Sequence, residues 1–249
     1  MNCKVVKHLL KQNGIVPDFA FSGEECINKL SVKFYHIVFL DHMMPKMDGI
    51  ETLKILKEKK LIPEGTAVIA LTANAVVGAK EFYLESGFDD YLSKPIEIEH
   101  LECMLSEYLP ENLTHLQTPE VKENDRENTD VLLAKLAMEG LDVKAALGFA
   151  GGDKDFYIEM LKEYISSYDS NVSDLNGYLE SHNMNDYETL VHSVKSVSRT
   201  IGAVELAEVA FELEKASREG NEEFVSANHK KFSDDYSALK DILAGIIGE

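Results

Sequence analysis

Three polar residues stand at the ends of apolar runs in the first hundred positions. Asp41 follows Ile37, Val38, Phe39 and Leu40; Thr72 follows the run from Ala67 to Leu71; Lys94 follows the short stretch from Asp90 to Ser93. If those runs are parallel strands, their last residues share one carboxyl edge, where open α/β sheets keep their chemistry. A carboxylate, a hydroxyl and an ammonium meeting there make an acyl-phosphate site. The carboxylate is the nucleophile, and the ammonium and hydroxyl take the phosphoryl oxygens. A second group lies in Leu190–Ala203, LVHSVKSVSRTIGA. Leu190, Val194, Val197 and Ile201 recur at helical spacing and predict the buried stripe. His192 falls about 200° from Leu190 at ~100° per residue, which predicts an outward-facing imidazole. Glu188, Lys195, Ser196 and Arg199 share its face. A neutral imidazole nitrogen can attack phosphorus, Lys195 can balance the added charge, and the small Ser196 leaves room for a partner.

Strands and helices alternate around the first group. Val5, Val6, Leu9 and Leu10 predict a helix ending at Gly14, and Val16–Phe21 predicts a short strand. Ser22, followed by Glu24 and Glu25, caps a helix reaching about Val32. A buried strand over Tyr35–Leu40 follows, then a helix opened by Asp48, a second apolar strand over Ala67–Leu71, and a helix over Ala75–Ser86 closed by Gly87. A short strand at Asp90–Ser93 and a helix over Ile96–Leu109 complete the pattern, which predicts a parallel sheet with helices on both faces. Residues 110–129, with two prolines and little apolar content, read as a linker. From residue 130 to 249 every periodic segment is helical: Val131–Met138, Asp155–Ser166, Val172–Leu179, Asp186–Ile201, Val204–Glu219 and Glu222–Ile247. Phe232, Tyr236, Leu239, Leu243 and Ile246 form the clearest stripe. Consecutive helices with short connections predict an antiparallel bundle.

Composition narrows the function. The chain has 249 residues and a formal charge of −19. Up to Asn112 there are 12 Lys against 17 Asp and Glu, a net of −5; the remainder carries −14. Both parts repel a phosphate backbone, which argues against nucleic acid as a partner. No run approaches the roughly 18 apolar residues of a membrane span. Three cysteines without a CxxC spacing predict free thiols in a reducing cytoplasm rather than disulfides or zinc.

Two resemblances gather these observations. D-H-M-M-P-K-M-D-G (41–49), A-L-T-A-N (70–74) and Y-L-S-K-P-I (91–96) resemble the receiver domain of two-component response regulators. The resemblance implies that Asp41 is the phospho-acceptor, Thr72 the switch hydroxyl, Lys94 the phosphate-binding lysine and Tyr91 the rotating aromatic, with a cis peptide before Pro95. A rival, the aspartate-nucleophile phosphatase, wants a second carboxylate two residues after the first; that position is Met43. Receivers begin with a strand ending in two acidic residues, which hold Mg²⁺ together with the phospho-acceptor and the backbone carbonyl two residues on, here Met43. Asn2–Leu10 resembles the helix that follows that strand. The expectation is therefore a receiver over residues 1–109 without its first strand, Met1 being an internal methionine of a longer chain. Its Mg²⁺ site would be incomplete, reduced to Asp41 and the Met43 carbonyl.

H-x-x-K-x-x-x-x-x-x-G-A, from His192 to Ala203, is similar to the histidine-containing phosphotransfer (HPt) domain, as is Gly140–Tyr164. His192 would then accept phosphate, with Lys195 beside it, Ser196 leaving approach open and Gly202 permitting close helix packing. The expected whole is an α/β flavodoxin-like receiver followed by an all-α antiparallel helical bundle. It carries phosphate between Asp41 and His192, as in the tail of a hybrid sensor histidine kinase. Its partners would be a sensor histidine kinase or other receiver domains, in the cytoplasm, and it has no ATP-binding kinase segment of its own. The alternative is a docking module whose receiver is chemically inactive, only His192 exchanging phosphate with another protein's receiver.

Overall fold

The computed structural model describes residues 2–44, 46–72, 79–113 and 126–248. The chain divides into two compact units, residues 10–118 in one and residues 1–9 with 119–249 in the other.

In the first unit, β1 (Ile37–Asp41), β2 (Ala67–Thr72) and β3 (Asp90–Ser93) form a parallel sheet in the order β1-β2-β3. Asp41 pairs in register with Leu71, and Thr72 with Ser93, so the three strands end level. All six residues of β2 are buried, as a central strand covered on both faces requires. β1 departs from expectation: of its residues only Leu40 is buried. It is an edge strand, and no described strand pairs with its outer side. Val16–Phe21, expected to be a strand, is not one, and Val16 and Phe21 are strongly exposed. An apolar run becomes a strand only where a neighbour takes its backbone hydrogen bonds, and none of the described strands does so here.

The helices of this unit are α2 (Gly23–Leu30), α3 (Gly49–Glu58), α4 (Ala79–Glu85) and α5 (Ile98–Tyr108); α1 (Asn2–Gln12) precedes them, with its residues up to Leu9 grouped in the other unit. Ser22 and Asp48 cap α2 and α3 by accepting from the backbone N–H of Glu25 and Glu51. The expected start of α4 at Ala75 lies outside the described residues. Leu40, Leu53, Leu56, Val68, Ala70, Tyr83 and Phe88 form the core. Of the expected linker, Glu111–Leu113 makes a 3₁₀ turn, positions 114–125 lie outside the described residues, and the last four positions belong to the next helix.

The second unit holds α6 (Arg126–Met138), α7 (Val143–Phe149), α8 (Lys154–Glu180), α9 (Met184–Thr200), α10 (Val204–Arg218) and α11 (Glu222–Ile247). Two expected helices, Asp155–Ser166 and Val172–Leu179, are one helix of 27 residues. The polar stretch between them contains neither Pro nor Gly, so nothing breaks the backbone, and its side chains largely face outward. The core is rich in tyrosine, and each buried phenol has a polar partner. Tyr157 donates to the Ile201 carbonyl at 2.9 Å, Tyr164 meets Ser198 at 3.0 Å, and Asn171 donates to Tyr236 at 3.1 Å. His229 bridges Tyr187 (2.9 Å to Nδ1) and Asn176 (2.7 Å to Nε2), joining α11 to α9 and α8.

Candidate functional site

The first site is built by the level strand ends. Asp41 closes β1, and the His42 amide donates to the Leu71 carbonyl at 2.9 Å. Thr72 closes β2, and its carbonyl accepts from the Lys94 amide. Lys94 Nζ hydrogen-bonds Asp41 Oδ2, and the Met43 amide donates to Asp41 Oδ1 at 3.2 Å. The lysine side chain is 5% exposed and the aspartate's 32%, so the carboxylate keeps an open side. Thr72 is buried and engages the Tyr83 side chain. Tyr91, half-buried on β3, stacks on Tyr83 with centroids 6.1 Å apart. The Lys94–Pro95 peptide is cis.

The turn between Asp41 and α3 explains why Asp48 is followed by glycine. The Gly49 amide donates to the His42 carbonyl at 3.0 Å, and a Cβ on Gly49 would lie 2.4 Å from the Asp41 carbonyl oxygen. Only glycine lets α3 begin directly beneath Asp41.

Mg²⁺ takes octahedral oxygen ligands from carboxylates, carbonyls and waters. Among the described residues no three His, Cys, Asp or Glu side chains come together as a metal-binding group. Asp41 stands there as a single carboxylate already engaged by Lys94, with the Met43 backbone beside it. That donor set does not fit Mg²⁺ by itself, and no chemical step below runs through the ion.

The second site corrects the expected phase of α9. Its buried stripe is Tyr187, Val191, Val194, Ser198 and Ile201, whereas Leu190 and Val197 are only half-buried. His192, Lys195 and Ser196, expected to face outward, are buried. The cause is α10, which packs along that face and meets its charges. His192 Nδ1 lies 2.9 Å from Glu214 Oε1, Lys195 Nζ donates to Glu214 Oε2 at 2.5 Å, and Arg218 reaches Glu214 at 2.6 Å and Glu188 at 2.9 Å. Arg199 pairs with Glu208 at 2.7 Å. Lys195 also lies over the Phe211 ring, 5.5 Å from its centroid. The face read as solvated is thus a charged seam between two helices.

Glu214 is its centre, and nothing in α9 alone points to it. Burial would raise its carboxyl pKa, but the hydrogen bonds and charges of His192 and Lys195 outweigh burial and hold it at about 2. A carboxylate only accepts, so His192 Nδ1 must carry the proton that it donates, which leaves the lone pair on Nε2. The His192 side chain retains 11% of its surface for a partner to reach. At the end of α9, Gly202 has φ +86° and its carbonyl accepts from the Asp142 amide at 2.9 Å. A Cβ there would lie 2.5 Å from the Asp142 carbonyl oxygen.

Known proteins resemble both parts of the chain in sequence. The family model of the response regulator receiver domain matches residues 1–106, and that of the Hpt domain matches residues 159–247. The signal transduction histidine-protein kinase BarA of Escherichia coli (strain K12) is 27% identical over 226 residues; the match covers 89% of this chain and 23% of BarA. The Francisella response regulator 1452 receiver domain is 35% identical, with a TM-score of 0.38, over 42% of this chain and 84% of that one. The receiver domain of sensor histidine kinase PA1611 from Pseudomonas aeruginosa PAO1, solved with a magnesium ion in its active site cleft, is 27% identical with a TM-score of 0.38. That match covers 43% of this chain and 87% of that domain. No described helix is long and apolar enough to cross a membrane. A response regulator receiver domain is thus matched over residues 1–106 and an Hpt domain over residues 159–247, a pair of domains that fits phosphorelay signalling in two-component systems.

Proposed function

We propose that this chain relays phosphate between Asp41 and His192, in the cytoplasm, with sensor histidine kinases and other receiver domains as its exchange partners. The observation that carries this reading is the fixed imidazole. Glu214 holds the proton on Nδ1, which frees the Nε2 lone pair, while Lys195 and Arg218 surround Glu214 with positive charge. Nε2 attacks the phosphorus of an aspartyl phosphate. The P–N bond forms, the P–O bond to the aspartate breaks, and the carboxylate leaves with the electron pair. The nitrogen's gain of positive character is balanced by the Nδ1–H bond to Glu214. At the other site Asp41 supplies the carboxylate oxygen, and Lys94 and Thr72 receive phosphoryl oxygens. Mg²⁺, which receivers use, would need ligands beyond Asp41 and Met43.

That last point favours a second reading, in which residues 1–109 dock partners and only His192 exchanges phosphate. Purified variants separate the two. The full chain is incubated with a phosphorylated receiver or hybrid kinase donor, and acid-labile and base-labile label are counted. Relay through both sites predicts that His192→Gln removes the phosphohistidine and Asp41→Ala the acyl phosphate. Loss with His192→Gln alone supports the docking reading. Labelling unchanged in both variants overturns the relay.

A further inference from the structure

Tyr83 lies on α4, outside both groups identified from the sequence, yet it touches the first of them. Its side chain is buried in the receiver core. Its hydroxyl hydrogen-bonds the Thr72 side chain and lies close enough to Asp41 to feel its charge. Its ring lies almost parallel to that of Tyr91, at 14° and 6.1 Å between centroids. Three further rings meet it edge-on: Phe82 at 5.2 Å, His42 at 5.5 Å and Phe88 at 5.8 Å. One side chain therefore connects the hydroxyl that ends β2 to the half-buried ring on β3, inside a tightly packed aromatic cluster.

We propose that Tyr83 is a positioning residue that holds the Thr72 hydroxyl through its own hydroxyl and passes any movement of Thr72 to the Tyr91 ring. The proposal rests on Asp41 as the phospho-acceptor, because a phosphoryl group there gives Thr72 a competing partner. A threonine hydroxyl has one proton to donate, and its χ1 moves between discrete staggered wells. When Thr72 turns its proton toward a phosphoryl oxygen, the bond to Tyr83 must either break or draw the phenol with it. The phenol cannot turn freely, because Phe82, His42 and Phe88 press on its ring. The adjustment is taken up at the stacked face, where Tyr91 lies partly open to solvent. The electrostatics act in the same direction: added negative charge near Asp41 disfavours any electron-rich phenol oxygen facing it.

The coupling can be tested without any phosphate donor. The full chain is prepared with 3-fluorotyrosine, and its ten tyrosines are observed by ¹⁹F NMR. The Tyr91 resonance is identified as the one lost in Tyr91→Phe. Thr72→Val removes the hydroxyl at nearly constant volume and is expected to shift the Tyr91 resonance. Thr72→Ser, which keeps the hydroxyl, is expected to restore it. Tyr83→Phe preserves the ring packing and is expected to abolish the effect of Thr72→Val on Tyr91. A Tyr91 shift on Thr72→Val that persists at full size in the Tyr83→Phe background overturns the proposal, as does a Tyr91 resonance that ignores Thr72→Val. These variants decide the coupling by themselves, so its failure is separate from any failure of Asp41 as a phosphoryl site, which the labelling of Asp41→Ala reads.

Discussion

His192 on α9 and Glu214 on α10 are 22 residues apart in sequence and 2.9 Å apart in space, Nδ1 to Oε1. This contact makes the histidine more than an imidazole on a helix. It fixes the tautomer, ties the ring to the neighbouring helix, and joins His192 and Lys195 through one carboxylate whose second oxygen binds the lysine. The His192 imidazole and the charges around it are therefore a property of the helix pair.

Removing the Glu214 carboxylate should damage both stability and chemistry. Glu214→Ala leaves Lys195 buried without its anion, and breaking such a buried pair costs about 3–5 kcal/mol. Glu214→Gln still offers Nδ1–H an oxygen acceptor and should lose less. We expect thermal unfolding to show a large drop for Glu214→Ala and a smaller one for Glu214→Gln. Phosphohistidine formation should slow by roughly tenfold or more in the first, in line with the loss of a positioning hydrogen bond, and by less in the second. Equal rates in wild type and Glu214→Ala would contradict the role assigned to this contact. The same carboxyl supplies an acid signature. Its folded pKa is about 2 against 4.5 unperturbed, so its contribution is complete above 4.5 and is lost as pH falls toward 2.

A second pH effect belongs to His229. Burial lowers its pKa below 6.5, and its two ring nitrogens are taken by Tyr187 and Asn176. The unfolded chain therefore binds a proton near pH 6.5 that the folded chain resists. Stability is complete above 6.5 and declines as pH falls below it, with a slope of at most ~1.4 kcal/mol per pH unit for one proton. Urea denaturation at pH 7.5 and 5.5 should show a lower midpoint at 5.5. His229→Gln should flatten that difference while lowering the midpoint at both values.

The strand ends were legible because each apolar run stops at a polar residue, and a parallel sheet aligns such stops. Asp48 and Ser22 announced their helices by capping chemistry alone. The misreadings share one physical cause, which is that the neighbour was not visible. Val16–Phe21 has the composition of a strand but no described ladder partner. The outward phase of α9 follows from α9 taken by itself, where His192, Lys195 and Arg199 look like a solvated face. Only the acids of α10 (Glu208 and Glu214) reveal that face as an interface. Tyr83 reads as an ordinary core aromatic, because its polar end matters only once β2 and α4 are placed together.

Two glycines with similar backbone angles should respond differently to alanine. Gly202 has φ +86° and Gly220 φ +71°, and each follows a helix. The left-handed conformation alone costs an alanine about 1–2 kcal/mol. At Gly220 a Cβ meets nothing within 4 Å, so that is the whole expected loss. At Gly202 it would also meet the Asp142 backbone at 2.5 Å, and the α9–α10 turn must move away from the start of α7. Gly202→Ala should therefore be clearly the more destabilising in chemical denaturation, and it should also lower phosphohistidine formation by disturbing the helix pair that holds His192. Similar midpoints for the two variants would show that the contact at Asp142 relaxes freely.

The ion pair of Asp41 and Lys94 should be asymmetric when one member is removed. Lys94 is almost fully enclosed, whereas the Asp41 carboxylate has about a third of its side-chain surface open. Asp41→Ala strands an ammonium in a site it cannot leave, and an uncompensated buried group of this kind costs about 1–3 kcal/mol or more. Lys94→Met fills the same space without charge and leaves a carboxylate that water can reach, so its loss should stay within about 1.5 kcal/mol, as for a volume-conserving exchange. Asp41→Ala should thus unfold at lower denaturant than Lys94→Met. The double variant should recover part of the stability lost in Asp41→Ala, because it no longer contains a stranded charge. A double-mutant cycle by urea denaturation measures this directly. A cycle in which the two losses simply add would mean that water, rather than Asp41, compensates the lysine.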